Sequence, residues 1–316
     1  MTEIGYKLSS EEHGPRALVD FARKAEAAGF SYGLISDHYH PWIDRQGQSP
    51  FVWSVIGGIA QVTDTLRVGT GVTCPTMRIH PALVAQAAAT SAALLEGRFF
   101  LGVGSGEALN EHILGDPWPP AGRRLEMLEE AIGVMRLLWQ GGLHTFHGDY
   151  YRVENARIYS LPEEPIPVYI AASGNKSTKL AARVGDGLIG VAPNKDAIRK
   201  FEDSGGTGPK IGELQVCYAP DEAAALKTAV EWWPNIAMGG QLGQDLALPS
   251  HYESVAELVS EQDVAKAVSC GPDPETHIQA INEFVGAGYD HVTVHQIGPD
   301  QDGFFAFYRD QILPKT

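Results

Sequence analysis

The chain has 316 residues, 44% of them hydrophobic, with Lys+Arg 24 against Asp+Glu 39 and a formal net charge of −15. That is enough apolar material for a sizeable globular core, and the negative charge argues against a nucleic acid or an anionic membrane as partner. Cys74, Cys217 and Cys270 are widely spaced and in no metal-ligand pattern, so they read as free thiols rather than disulfides or a zinc site. With no signal-like start and no apolar run of membrane-spanning length, the expected location is the cytoplasm.

A strand-then-helix rhythm runs along the chain. Residues 4–8 read as a strand and 15–28 as an amphipathic helix. Residues 32–36 follow as a strand, 51–62 as a helix, 66–73 as a strand and 81–95 as an Ala-rich helix with Pro at its start. The apolar run 99–103 has the character of a strand buried on both faces. A long loop over 104–120 precedes a helix at 123–139, and 144–159 reads as an added hairpin. Strands at 166–172, 187–192, 214–218 and 292–296 continue the pattern, with helices to residue 184 and over 221–233, 274–287 and 304–312. Repeated βα units imply a parallel sheet, and eight of them favour closure into a (β/α)8 TIM barrel. The alternative, an open doubly wound sheet, usually carries a Gly-rich phosphate turn after its first strand. Here that place holds Leu8-Ser9-Ser10-Glu11-Glu12. The expectation is one domain over 1–316, with insertions near 105–120, 144–159 and 235–260.

Active sites of such barrels gather at the carboxyl ends of the strands. That rule selects Glu11, the cluster Asp37-His38 with His40 and Trp42, Gly71 and Cys74, the turn Gly104-Ser105-Gly106-Glu107 with Asn110, Ser173-Gly174, Asn194-Lys195, and His295. His38 is the strongest acid/base candidate, because an imidazole titrates near neutrality and Asp37 stands beside it. Its plainer alternative is a side chain bonded to a backbone carbonyl. Trp42 is either a core residue or a planar wall beside His38, and Glu107 either a solvated loop carboxylate or a ligand contact on a Gly-rich turn. Ser173-Gly174 opens a helix with Lys176 and Lys179 nearby, which suits a phosphate or merely caps the helix. No second His/Cys/Asp cluster has metal spacing, and no GxSxG elbow is present, so neither a metal site nor acyl transfer is expected.

The stretches Ser36-Asp37-His38-Tyr39-His40-Pro41-Trp42 and Gly104-Ser105-Gly106-Glu107-Ala108-Leu109-Asn110-Glu111 closely resemble signatures of coenzyme F420 (deazaflavin)-dependent enzymes. These belong to the luciferase-like barrel superfamily, and the likeness is greatest to its F420-dependent glucose-6-phosphate dehydrogenase group. It extends through Gly5-Tyr6-Lys7, Pro75-Thr76-Met77-Arg78, Gly148-Asp149-Tyr150-Tyr151, Val168-Tyr169-Ile170-Ala171-Ala172 and Gly185-Asp186-Gly187.

The resemblance implies an oxidoreductase that moves hydride between a small substrate and coenzyme F420. It implies His38 as the base taking the substrate proton, Trp42 and Glu11 as pocket residues, and Glu107 near the pyrimidine side of the ring. Asp37, Cys74, Gly106 and Asn110 would contact the cofactor, and the Gly71-Val72 peptide would buttress the ring in a cis conformation. Ala172, Ser173 and Gly174 would meet its phosphate. The cofactor carries the redox chemistry, and the protein supplies geometry and proton transfer. The rival within the same fold is an FMN-dependent monooxygenase. Dimers are common among such barrels, so a homodimer is expected.

One departure bears on the substrate. Glucose-6-phosphate enzymes hold the sugar phosphate with cations, whereas the matching positions here are Asn194, with Lys195 next to it, and Ala267. Residues 235–260 contain no Lys or Arg. A dianion normally needs charge-assisted donors, so the expected substrate is an alcohol, a carbonyl or a non-phosphorylated sugar, with a sugar 6-phosphate such as glucose 6-phosphate as the alternative.

Overall fold

The computed structural model describes residues 2–238 and 240–316. Eight parallel strands form the barrel: β1 (Glu3–Leu8), β2 (Tyr32–Ile35), β3 (Arg67–Thr70), β4 (Phe99–Val103), β5 (Val168–Ala171), β6 (Gly187–Gly190), β7 (Lys210–Cys217) and β8 (His291–Gln296). Each pairs with the next in chain order, and β8 closes the ring onto β1 through Glu3↔His291 and Tyr6↔Val294. A two-residue strand, Ser269–Cys270, adds to the end of β7, and the hairpin His144–His147/Arg152–Ala156 stands outside the barrel.

Side chains alternate across each strand. Tyr6 and Leu8 of β1 face outward into the main core against helices α1 (Pro15–Ala28) and α2 (Val52–Ile59). The barrel interior is filled at one level by Tyr32, Leu34, Phe100, Tyr169, Ile189 and Ile211. A Cβ on Gly69 would lie 2.0 Å from the Phe100 ring, so glycine there makes room for the aromatic plug.

The remaining helices that flank the sheet are α3 (Pro81–Leu95), α4 (Ala121–Trp139), α5 (Asn175–Val184), α6 (Lys195–Asp203), α7 (Glu222–Trp232) and α8 (Pro274–Ala287). Four features depart from the sequence reading. Helix α6 was not expected: its short apolar stripe, Ala197, Ile198 and Phe201, lies in a charged segment. Strand β7 begins at Lys210, because the inward Glu213 that interrupts its apolar pattern is paired across the barrel with Lys7. The long loop after β4 contains the short helix Ala108–Glu111. The insertion after α7 carries helix Pro249–Ala256 and is followed by helix Glu261–Ala267, neither of which the sequence pattern marks. No helix among the described residues is long and apolar enough to cross a membrane.

Candidate active site

His38 and Glu11 meet at the barrel mouth from the loops after β2 and β1. His38 Nδ1 lies 3.5 Å from Glu11 Oε1 and 3.2 Å from the His40 carbonyl oxygen. The imidazole is thus bonded to a backbone carbonyl with a carboxylate close by. The Glu11 carboxylate is buried and accepts hydrogen bonds from Ser36 Oγ at 2.6 Å and Ser9 Oγ at 3.1 Å. Burial pushes its pKa up, but the charges of His38 and Lys7 and the Ser36 hydroxyl outweigh this, so it lies below the ordinary carboxylate value.

Trp42 forms a wall beside this pair. Its ring centroid is 4.9 Å from that of His38 and 5.2 Å from that of Tyr252, tilted by 62° and 74°. It joins Ile43, Leu109, Tyr252, Met238 and Leu246 in an apolar cluster that binds the loop after β2 to the insertion. Gln46 reinforces the same joint, accepting from Trp42 N at 2.9 Å and donating to the Trp232 carbonyl at 3.1 Å. From the other side, the nearly fully buried Arg124 donates to Pro119 O at 2.8 Å and to Gln244 Oε1 at 2.7 Å, with its guanidinium over Trp118.

Behind the mouth is a buried charged cluster. Arg78 Nη2 donates to Asp37 Oδ1 at 2.8 Å, and Thr73 Oγ1 donates to Asp37 Oδ2 at 2.7 Å. Asp37 thus has protein partners for both carboxylate oxygens. Glu111 accepts from Arg78 N at 2.8 Å, with Arg78 Nε 3.5 Å from its other oxygen. Burial dominates over the Arg78 charge and pushes Glu111 up to about 7. Burial also pushes the Cys74 thiol up, while Thr76 Oγ1 stands 2.9 Å from its sulfur.

Asn110 Oδ1 accepts from Tyr39 N at 2.8 Å and His40 N at 3.2 Å, whereas its buried Nδ2 has no partner. Glu107 is half-buried, precedes the short helix Ala108–Glu111, and makes no side-chain cap to it. Gly106 has φ +75°, and a Cβ there would meet Cys74 Sγ at 2.6 Å. The Gly71–Val72 peptide is cis, and Gly71 O accepts from Lys7 Nζ at 2.9 Å. An open amide donor, a half-buried carboxylate and a side-chain-free turn together form a polar cradle over residues 106–110.

A second concavity, of about 530 Å³, opens between α5 and α6; Ser173, Gly174 and Asn194 line it together with Lys179, Lys200 and the Arg199–Asp196 ion pair, and Asp203 lies at its edge. Neither Ser173 nor Asn175 caps α5: the cap is Gly174, whose N–H donates to Ser177 Oγ at 3.2 Å. Asn194 caps α6 by accepting from Ala197 N at 3.0 Å, and exposed Lys195 follows it. The structure therefore groups Asn194 with Ser173 and Gly174 in one polar hollow of mixed charge, next in sequence to the buried Ala172.

Sequence reasoning assigned no role to four partners: Arg78 and Glu111 around Asp37, and Glu12 and Glu213 as carboxylates facing His295 and Lys7. Arg78 and Glu111 stood inside the quoted motifs, and His295 stood at the end of β8. Only their pairing was hidden. Among the described residues no group of His, Cys, Asp and Glu is arranged to hold a metal ion.

Residues 1–291 match the model of the family described as luciferase-like monooxygenase. A curated F420-dependent glucose-6-phosphate dehydrogenase of Intrasporangium calvum is 38% identical over 99% of this chain and 98% of its own. The protein of the same name in Mycobacterium tuberculosis is 35% identical over 99% of this chain and 97% of its own. Among solved structures, an F420-dependent secondary alcohol dehydrogenase in complex with an F420-acetone adduct superposes with a TM-score of 0.92 at 31% identity, covering 98% of each chain. The chain belongs to the luciferase-like monooxygenase family.

Proposed function

We propose that this protein is an F420-dependent oxidoreductase acting on a small neutral alcohol or the corresponding carbonyl compound. The observation that carries this reading is the mouth itself. An imidazole is flanked by a buried carboxylate and an indole wall, beneath a lid whose residues 235–260 hold no Lys or Arg. The cofactor part of the reading is supported by the relatives, which are named for F420 across nearly their whole length. The unpartnered Asn110 Nδ2, the Gly106 turn and the hollow at Ser173-Gly174 with Lys179 and Lys200 fit a ligand with a polar ring at one end and an anionic group at the other.

When bound, the coenzyme supplies the hydride acceptor or donor. His38 takes the substrate hydroxyl proton as hydride leaves carbon, or returns it in the reverse direction. Nδ1 bonds the His40 carbonyl at 3.2 Å with the Glu11 carboxylate 3.5 Å away, which leaves Nε2 for the substrate. Trp42 and Tyr252 shape the pocket, Asn110 donates to the cofactor, and Glu107 is the acid or electrostatic partner at its ring. Ala172, Ser173 and Gly174 receive its phosphate, while Asp37, with both oxygens occupied by Arg78 and Thr73, acts through the shape of the loop after β2. Cys74 contributes packing beneath Gly106.

Two readings compete for the substrate, and the relatives' names divide between them: glucose 6-phosphate and a secondary alcohol. Asn194, committed as a helix cap, and the cation-free lid favour the neutral substrate. Fluorescence titration with F420 and, separately, FMN decides the cofactor, with F420 expected to bind alone. Loss of F420 absorbance then ranks 2-propanol, glucose and glucose 6-phosphate. A kcat/KM at least about tenfold higher for a neutral substrate is expected, equivalent to about 1.4 kcal/mol. A preference for the phosphate ester overturns the substrate, and FMN binding alone overturns the cofactor.

A further inference from the structure

Consecutive glutamates in the loop after β1 point to opposite partners. Glu11 faces His38. Glu12 accepts from His295 Nε2 at 2.7 Å and from Gly298 N at 2.9 Å, in a pair whose side chains are 0% and 1% exposed. His295 stands at the carboxyl end of β8, in the alternating set with Thr293, which bonds Tyr32 inside the barrel. The ring of Trp233, at the start of the insertion, meets the His295 ring edge-on at 4.5 Å. His295 Nδ1 is buried and has no partner. The Nε2–H to Glu12 is therefore the one hydrogen bond of this imidazole among the described residues, and it ties the loop after β1 to the last strand of the barrel.

We infer that Glu12 and His295 are positioning residues for the catalytic base. Together they clamp residues 9–13 to β8, so that Glu11 is presented to His38 Nδ1 in a fixed geometry. The covalent link from Glu12 to Glu11 transmits the clamp. Ser9 and Ser36 complete it from the other side by donating to Glu11. His13, Lys7 and His38 are the other charged or titratable groups around this loop. Without His295 the buried Glu12 carboxylate keeps only the Gly298 N–H and has one oxygen unsatisfied, and the loop relaxes to solvate it. Misplacement of a reacting group by about 1 Å costs on the order of 100-fold in rate, so the effect falls on turnover rather than on binding.

The inference rests on the proposed function for its turnover arm only. Its first readout is the pair of imidazole 15N signals of His38 in the full chain without cofactor. His295→Leu is expected to move them, and His295→Gln, which keeps a donor at the Nε2 position, to restore most of the shift. In turnover with F420, His295→Leu is expected to lower kcat by about 10- to 100-fold, with KM and the F420 dissociation constant within about twofold. In a Glu11→Gln background the same change is expected to add little, because residues acting as one unit are non-additive. Should His295→Leu fail to fold, Glu12→Gln, which loses one of two acceptors, carries the same expectation in milder form. Unmoved His38 signals in a folded variant overturn the clamp, as does a full additional loss in the Glu11→Gln background. Wild-type protein that binds no F420 overturns the proposed function instead, and the 15N arm still judges the clamp.

Discussion

Arg78 reaches Glu111 less closely than it reaches its other carboxylate: its Nε stands 3.5 Å from Glu111 Oε1, whereas its Nη2 donates at 2.8 Å to Asp37. One guanidinium thus serves two buried carboxylates, and Asp37 takes the larger share. Glu111 is the member that takes up a proton, at about 7 against its ordinary 4.5. Between these values the folded protein holds a proton that the unfolded chain has lost. Stability from this group therefore falls as pH rises from about 4.5 to about 7 and is level above. The ionised form costs on the order of 3 kcal/mol. Glu111→Gln is expected to flatten that slope and to raise the unfolding free energy at pH 8. Urea unfolding at pH 5, 6, 7 and 8 checks it, and an unchanged slope would exclude Glu111 as its source.

His38→Ala removes the proposed base while leaving Glu11, Ser36 and the cofactor cradle in place. General-base losses run to about 100- to 10,000-fold. A fall in kcat of that size is expected, with F420 affinity held within about twofold. Unchanged turnover would mean that another group, Glu107 foremost, moves the proton.

The barrel was legible in the sequence because its strands are short apolar runs and its helices start and stop on recognisable residues. Pro81–Leu95, Phe99–Val103 and Pro274–Ala287 lie where their patterns put them. What escaped was polarity satisfied at a distance. Glu213 disguises the first half of β7 because its partner, Lys7, is 206 residues away. Glu12 carries no sequence signal of its role because His295 lies 283 residues further on. The stretches around Asp37 and Glu107 identified the mouth, yet only the folded chain reveals that Asp37 is already occupied by Arg78 and Thr73. Charge pairing across a barrel leaves no periodic trace in either partner's neighbourhood.

The lid depends on Arg124. Its buried guanidinium connects the start of α4 to Gln244 and stacks over Trp118, whose Nε1 donates to Asp245 at 3.1 Å. Arg124→Met keeps the aliphatic stem and abolishes the fork. Loss of charge-assisted bonds of this kind costs about 2 kcal/mol. KM for substrate is expected to rise about tenfold, with F420 affinity unchanged, since Tyr252 bonds Gly243 O and packs on Trp42 within the same insertion. A rise in the F420 dissociation constant instead would place Arg124 on the cofactor side of the mouth.

Gly106 tests the cradle from the backbone. At φ +75° a side chain is disfavoured by about 1–2 kcal/mol, and a Cβ at this place meets Cys74 Sγ at 2.6 Å and Glu111 Cγ at 3.0 Å. Both neighbours are buried, so neither has free space to retreat into. Gly106→Ala must then push the turn toward the mouth, carrying Glu107 with it. Weaker F420 binding by about tenfold or more is expected, together with a lower Tm. Adding Cys74→Ala removes the closer of the two obstructions and should recover part of both losses, leaving the Glu111 Cγ contact and the backbone cost. If Gly106→Ala binds F420 as the wild type does while Tm falls, the turn contributes to stability alone and the ring of the coenzyme lies elsewhere.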